Sequence, residues 1–194
     1  MTAIAAAPRL ETPKLIRLNY LWYVAAALVV MIAAIASKNI WFLNWVHVMS
    51  GVMWTGIDLF MGFIIGPILK VLDVSIRKEV LLRLTPRTLF LMPTLATITG
   101  TAGWFLAADL GLTALPWPQI AWVYGALALN TIMGIQGLFY LMPTNLRVCF
   151  ELQKPNPDGA RIGRMMGKYF YAVAAQGVMQ VAIIVIMAKF VTGI

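Results

Sequence analysis

Apolar residues in this chain come in long runs separated by short polar stretches. Five runs approach or exceed the roughly twenty residues that carry a helix across a 30 Å hydrocarbon layer. They cover about Asn19 to Ser37, Trp41 to Leu72, Thr88 to Leu110, Gln119 to Met142 and Tyr169 to Phe190. Backbone amides in lipid have no water to bond, so each run is expected to be a helix. Pro143 is placed to kink a continuation of the fourth run toward Leu152.

The stretches between the runs are small. Asp73 to Thr85 sets Val74, Ile76, Val80, Leu81 and Leu84 against Arg77, Lys78, Glu79 and Arg83, which predicts a short amphipathic helix on the membrane surface over about 73–85. The segment QKPNPDGARIGR, with Pro155, Pro157 and Gly159, reads as a turn-rich connection. No stretch is large enough for a separate soluble catalytic domain. The expected fold class is therefore all-α, a polytopic transmembrane helical bundle of five spans forming one integral membrane domain over residues 1–194.

Basic residues orient the bundle. Arg9, Lys14 and Arg17 precede the first span; Lys70, Arg77, Lys78, Arg83 and Arg87 lie between the second and third; Arg147, Lys154, Arg161, Arg164 and Lys168 lie between the fourth and fifth. Of the 15 lysines and arginines only Lys38 and Lys189 fall on the other side. The positive-inside rule then puts the N-terminus in the cytoplasm and the C-terminus, Ile194, outside. A bacterial inner membrane is the expected location. Trp22, Trp41, Trp45, Trp104, Trp117, Trp122 and Tyr169 sit near span ends, where interfacial aromatics belong.

Composition agrees with this picture and narrows the chemistry. Hydrophobic residues make up 61% of the chain and charged ones 11%, with a mean hydropathy of +0.85, which excludes a soluble enzyme. The net charge of +8 is dispersed over three juxtamembrane segments without an aromatic platform, so anionic lipids are the expected partner and nucleic acid is not. One cysteine, Cys149, excludes an internal disulfide and a thiolate cluster, and one histidine excludes an all-protein zinc site. Nucleophile elbows, phosphate loops and Rossmann glycine patterns are absent from any suitable context.

The most informative polar residues lie in the second run, WVHVMSGVMWTGIDLFMGFIIGP. On a helix His47, Gly51, Trp54, Asp58 and Ile65 fall within about 40° of one line, so they share a face. An ionised carboxylate near the middle of a span costs about 2.5–3.5 kcal/mol, so Asp58 is expected to face the bundle interior, neutral or partnered. By depth, its partners are Thr97, Thr101, Asn130, Gln176 and Gln180, which predicts a polar layer around the carboxylate. That layer can serve as interhelical glue, helped by Gly100, Gly103, Gly134 and Gly137, or it can handle protons or a ligand. His47 is either a hydrogen-bonded structural residue or an axial metal ligand. One histidine supplies one ligand; a second would come from another copy, a partner subunit, or Met49 or Met53.

The segment HVMSGVMW from His47, followed by Gly56 and Leu59-Phe60, resembles the signature opening an early helix in the HemJ family of membrane protoporphyrinogen oxidases. RKEVLLRLTP from Arg77 to Pro86 and TGTAGWFL from Thr99 to Leu106 resemble that family's basic loop and its next helix. Related patterns occur in copper-resistance D-like proteins and in the membrane domain of bacterial urate oxidases. The resemblance covers about residues 41–110 and implies a small helical bundle, haem b, and membrane redox chemistry with His47 as the metal ligand.

Three functions follow as expectations. The first is a haem-associated redox or electron-transfer component, an oxidoreductase if an enzyme. In it His47 ligates iron, Gly51 and Trp54 complete the cofactor site, and Asp58 with Asn130 handles protons. The second is a non-catalytic structural or assembly subunit, as a homo-oligomer or with partner membrane subunits. The third is a small transporter in which Asp58 titrates.

Overall fold

The structure, a computed structural model, describes residues 14–192, and every regular element in them is helical. Arg9 and Ile194, used in the topology argument, lie outside the described residues. A short 3-10 turn, Leu18–Tyr20, leads into α1 (Leu21–Ala36), and α2 (Ile40–Phe60) passes through a π turn (Met61–Ile65) into α3 (Gly66–Val71). The long α4 (Val74–Asp109) returns, and a 3-10 turn (Leu112–Ala114) precedes α5 (Ile120–Gln136). A second π turn (Gly137–Leu141) joins α5 to α6 (Met142–Gln153), and α7 (Gly159–Thr192) closes the bundle. Five continuous rods, Leu18–Ala36, Ile40–Val71, Ser75–Asp109, Ile120–Gln153 and Gly159–Thr192, are long and apolar enough to cross a membrane.

The outer surface supports that assignment. Trp22 is 80% exposed, Phe63 77% and Phe139 76%, and each sits among other exposed apolar side chains. Such a surface has hydrocarbon rather than water as its natural solvent. Among the described residues the packed interior comprises three separate clusters. Met31, Ala34, Leu43, Val46, Ile98, Ala102 and Leu106 join α1, α2 and α4 at one end. Trp54, Leu95 and Met133 join α2, α4 and α5 in the middle. Leu15, Leu82 and Cys149 meet at the other end, where the basic loops lie.

Two expected boundaries move. The amphipathic stretch over 73–85 is helical but continuous with the span after it, because α4 runs through both Pro86 and Pro93. A proline removes one helical hydrogen bond and bends the rod, but neighbouring helices can hold the two halves together. Here Leu82 is completely buried and the buried Thr85 contacts Cys149 of α6, its hydroxyl 3.1 Å from Sγ. The second basic loop is also shorter than the composition implies, since α7 starts at Gly159. Asp158 caps it: Oδ1 accepts from the Arg161 backbone N–H at 2.9 Å, which satisfies one of the unpaired amides of the first turn. Glu151, buried at the end of α6, pairs with Lys154 at 2.7 Å and Arg161 at 3.5 Å and ties the intervening turn down.

The π turns share a cause that is visible in sequence. Pro67 and Pro143 each stand six residues after the first residue of their π turn. Lacking an N–H and needing room beside the carbonyl four residues earlier, each proline favours a widened turn before it. At the far end of α3, Arg77 Nη2 donates to the carbonyls of Lys70 and Leu72, both at 3.0 Å, and satisfies that helix terminus.

Candidate functional site

Asp58 lies in the last turn of α2, just before the π turn. Its Oδ2 accepts two hydrogen bonds, from Gln176 Nε2 and Gln180 Nε2 of α7, each at 2.7 Å. The glutamines are one helical turn apart, so both reach the same carboxylate oxygen. Both residues are 3% exposed, and the Oε1 atoms of both are buried without a hydrogen-bond partner. Among the described residues no lysine or arginine forms an ion pair with Asp58. An interior carboxylate is thus held by amides alone.

Beside it lies a cavity of about 160 Å³. Asp58, Gln176 and Trp54 line one end, and Leu81, Asn145 and Met166 the end toward the basic loops. Its walls are mostly Met, Leu, Ile and Phe side chains, and both π turns border it through Met61, Gly62, Gly137, Leu138 and Leu141. Pro93 also lines it and has no N–H to give the carbonyl of Leu89, another lining residue.

The expected polar layer divides in two. Gln176 and Gln180 join Asp58 as anticipated. Asn130, Thr97 and Thr101 instead line a second hollow, a groove of about 460 Å³ between α4 and α5. Asn130 sits directly over Gly100, where a Cβ would come within 2.5 Å of Nδ2, so α4 and α5 meet closely only because Gly100 has no side chain. Asn130 therefore does not share the Asp58 hydrogen bonds. Equal depth was legible in the sequence; the side of each helix that faced the carboxylate was not.

His47 has a different neighbour again. Its Nδ1 lies 2.9 Å from the backbone carbonyl of Thr99 in α4, and a Cβ at Gly103 would lie 2.7 Å from the ring. Ser50, one turn along, accepts from Thr99 Oγ1 at 2.9 Å, and a Cβ at Gly51 would meet Thr99 Cγ2 at 3.4 Å. The imidazole is part of an α2–α4 clamp. The sequence face shared by His47 and Asp58 does not become one chamber, since α2 faces α4 at His47 and α7 at Asp58. Trp54 lies between them, buried in the middle cluster and lining the Asp58 cavity.

With Nδ1 donating to Thr99, Nε2 is the ring atom left to bind a metal. Neither of the two hollows is lined by His47, so this chain offers one imidazole ligand without a porphyrin-sized space around it in either. The described residues contain no group of three or more His, Cys, Asp or Glu arranged to hold a metal ion. One further interhelical bond escapes a sequence reading: Gln136 Nε2 donates to the Ala172 carbonyl at 2.5 Å and links α5 to α7.

The chain matches no protein-family model, no curated protein and no solved structure.

Proposed function

We propose that this protein is a small multi-pass membrane transporter whose working group is Asp58, a carboxyl that exchanges a proton as a small molecule enters and leaves the adjoining cavity. One observation carries the reading: the carboxylate is held by neutral amides rather than a cation, at the head of a hollow that leaves room beside it. Structural glue alone would be expected to fill that space, because close packing is the norm in protein interiors. The two π turns bordering the cavity support the same view, since such turns are frequent at functional sites. The basic loops orient the cavity's far end toward the cytoplasm of a bacterial inner membrane, against anionic lipid.

The test is an infrared difference spectrum of the reconstituted protein between acidic and alkaline buffer. A carboxylic C=O band present in the native protein and absent from Asp58→Asn is expected. No such band, or one that survives the substitution, refutes the reading.

A second reading, a haem-associated redox protein, is supported by the Nδ1 contact with Thr99, which orients His47 for ligation through Nε2. Neither hollow reaches the ring. An absorption spectrum of protein expressed with ample haem, repeated on His47→Ala, decides it. The groove at Asn130 favours the companion expectation of a homo-oligomer or a partner subunit, since a polar amide facing an open groove invites an interhelical hydrogen bond.

A further inference from the structure

The chemistry of the cavity's polar end identifies what it takes. Asp58 offers carboxylate oxygen. Gln176 lines the cavity beside it, and the N–H groups of Gln176 and of Gln180, which does not line the cavity, are both turned onto Asp58 Oδ2. With two amide donors on Oδ2 and no ion pair to it among the described residues, the carboxylate keeps Oδ1 as an acceptor at the wall of the cavity. The amides are already committed to holding the carboxylate, so the needed complement is a positively charged donor. A second acceptor, such as a carboxylate or phosphate, would be repelled.

The rest of the cavity fixes the other end of the ligand. Past Asp58 and Gln176 the walls are Met61, Leu69, Met92, Met133 and Phe170. A volume of about 160 Å³ is close to that of an apolar cavity that takes a single benzene ring, about 150 Å³. Among the described residues Tyr169 is the other titratable side chain lining this space, and it contributes a hydroxyl rather than a fixed charge.

From this juxtaposition we infer that the Asp58 cavity binds a small lipophilic amine of about one ring, with its ammonium group on the Asp58 carboxylate beside Gln176 and its apolar body against the methionine and leucine walls. The inference deepens the transport reading and rests on it. The neutral amine crosses lipid and meets Asp58 as a carboxylic acid. The O–H bond breaks, an N–H bond forms, and an ammonium–carboxylate pair remains. Release reverses this transfer and returns the proton to Asp58. No electron changes hands and no co-reactant is needed.

Binding of radiolabelled benzylamine to the full chain in phosphatidylcholine nanodiscs tests this, with benzyl alcohol as the neutral isostere. Zwitterionic lipid is chosen so that headgroup charge does not capture the amine. We expect saturable benzylamine binding, benzyl alcohol weaker by about tenfold or more, and a comparable loss in Asp58→Asn and in Gln176→Leu; losing a charge-assisted hydrogen bond corresponds to a factor of that size. The comparison of amine with alcohol on the native chain needs no variant to fold. Equal binding of the two, absence of benzylamine binding, or undiminished binding by a folded Asp58→Asn overturns the inference. An Asp58 infrared band without amine binding defeats the ligand assignment and leaves the proton-exchange reading standing. Amine binding without the band defeats proton exchange instead.

Discussion

Gly103→Ala should destabilise the bundle through one contact. The added Cβ would lie 2.7 Å from His47 Cε1 and 2.9 Å from Nδ1, closer than carbon and nitrogen can approach, so the ring must move. Moving it weakens the 2.9 Å bond to Thr99. Overpacking costs about 1–3 kcal/mol and a lost hydrogen bond about 0.5–1.5 kcal/mol, while alanine regains about 0.5–1 kcal/mol of helix preference over glycine. The net is a loss of about 2 kcal/mol, with extremes of about 0.5 and about 4, or several degrees in Tm for a chain of this size. Cys149, the single cysteine, is buried, so a thiol-reactive fluorogenic dye reports unfolding as temperature rises. Gly163→Ala, where nothing lies within 4 Å of the new Cβ, is the control and should be neutral or slightly stabilising. The decisive measurement is the double variant: in a His47→Ala background the clash is gone, so Gly103→Ala should turn from destabilising to neutral or better. An equal loss in both backgrounds would show that the imidazole contact is not the cause and refute the clamp between α2 and α4.

Other outcomes follow from single contacts. Gln136→Leu removes the α5–α7 bond to Ala172 and should lower stability by about 1 kcal/mol, within the range of intramembrane hydrogen bonds, as read by the same dye assay. Arg77→Gln unpairs the α3 carbonyls of Lys70 and Leu72 and should lower Tm while leaving the Asp58 infrared band in place. The Arg161 backbone N–H holds the Asp158 carboxyl below the usual aspartate range. Because the folded value is depressed, the cap's contribution is complete above about pH 4 and fades as pH falls through the folded value. Asp158→Asn keeps an acceptor but does not titrate, so the Tm difference between native protein and variant should shift as the medium is acidified below pH 4. A difference unchanged with pH would remove Asp158 from the α7 terminus.

Run length and apolar content alone determined five helices long and apolar enough to cross a hydrocarbon layer. That follows because unpaired backbone amides are intolerable in lipid whatever the neighbours are. They also determined that Asp58 turns inward, since a carboxylate facing lipid is penalised in any arrangement. Helical spacing identified Gln176 and Gln180 as a pair able to reach it together. Tertiary structure alone decided the rest. Asn130 lies at a similar depth yet faces a groove over Gly100, because depth follows from counting residues whereas azimuth depends on which helix lies alongside. His47 and Asp58 share a sequence face yet meet α4 and α7 respectively, because a helix this long passes different neighbours along its length. The cavity between them and the basic loops is absent from any single run of residues: it is the space that α2, α4, α5 and α7, with the π turns before Pro67 and Pro143, leave unfilled when they pack.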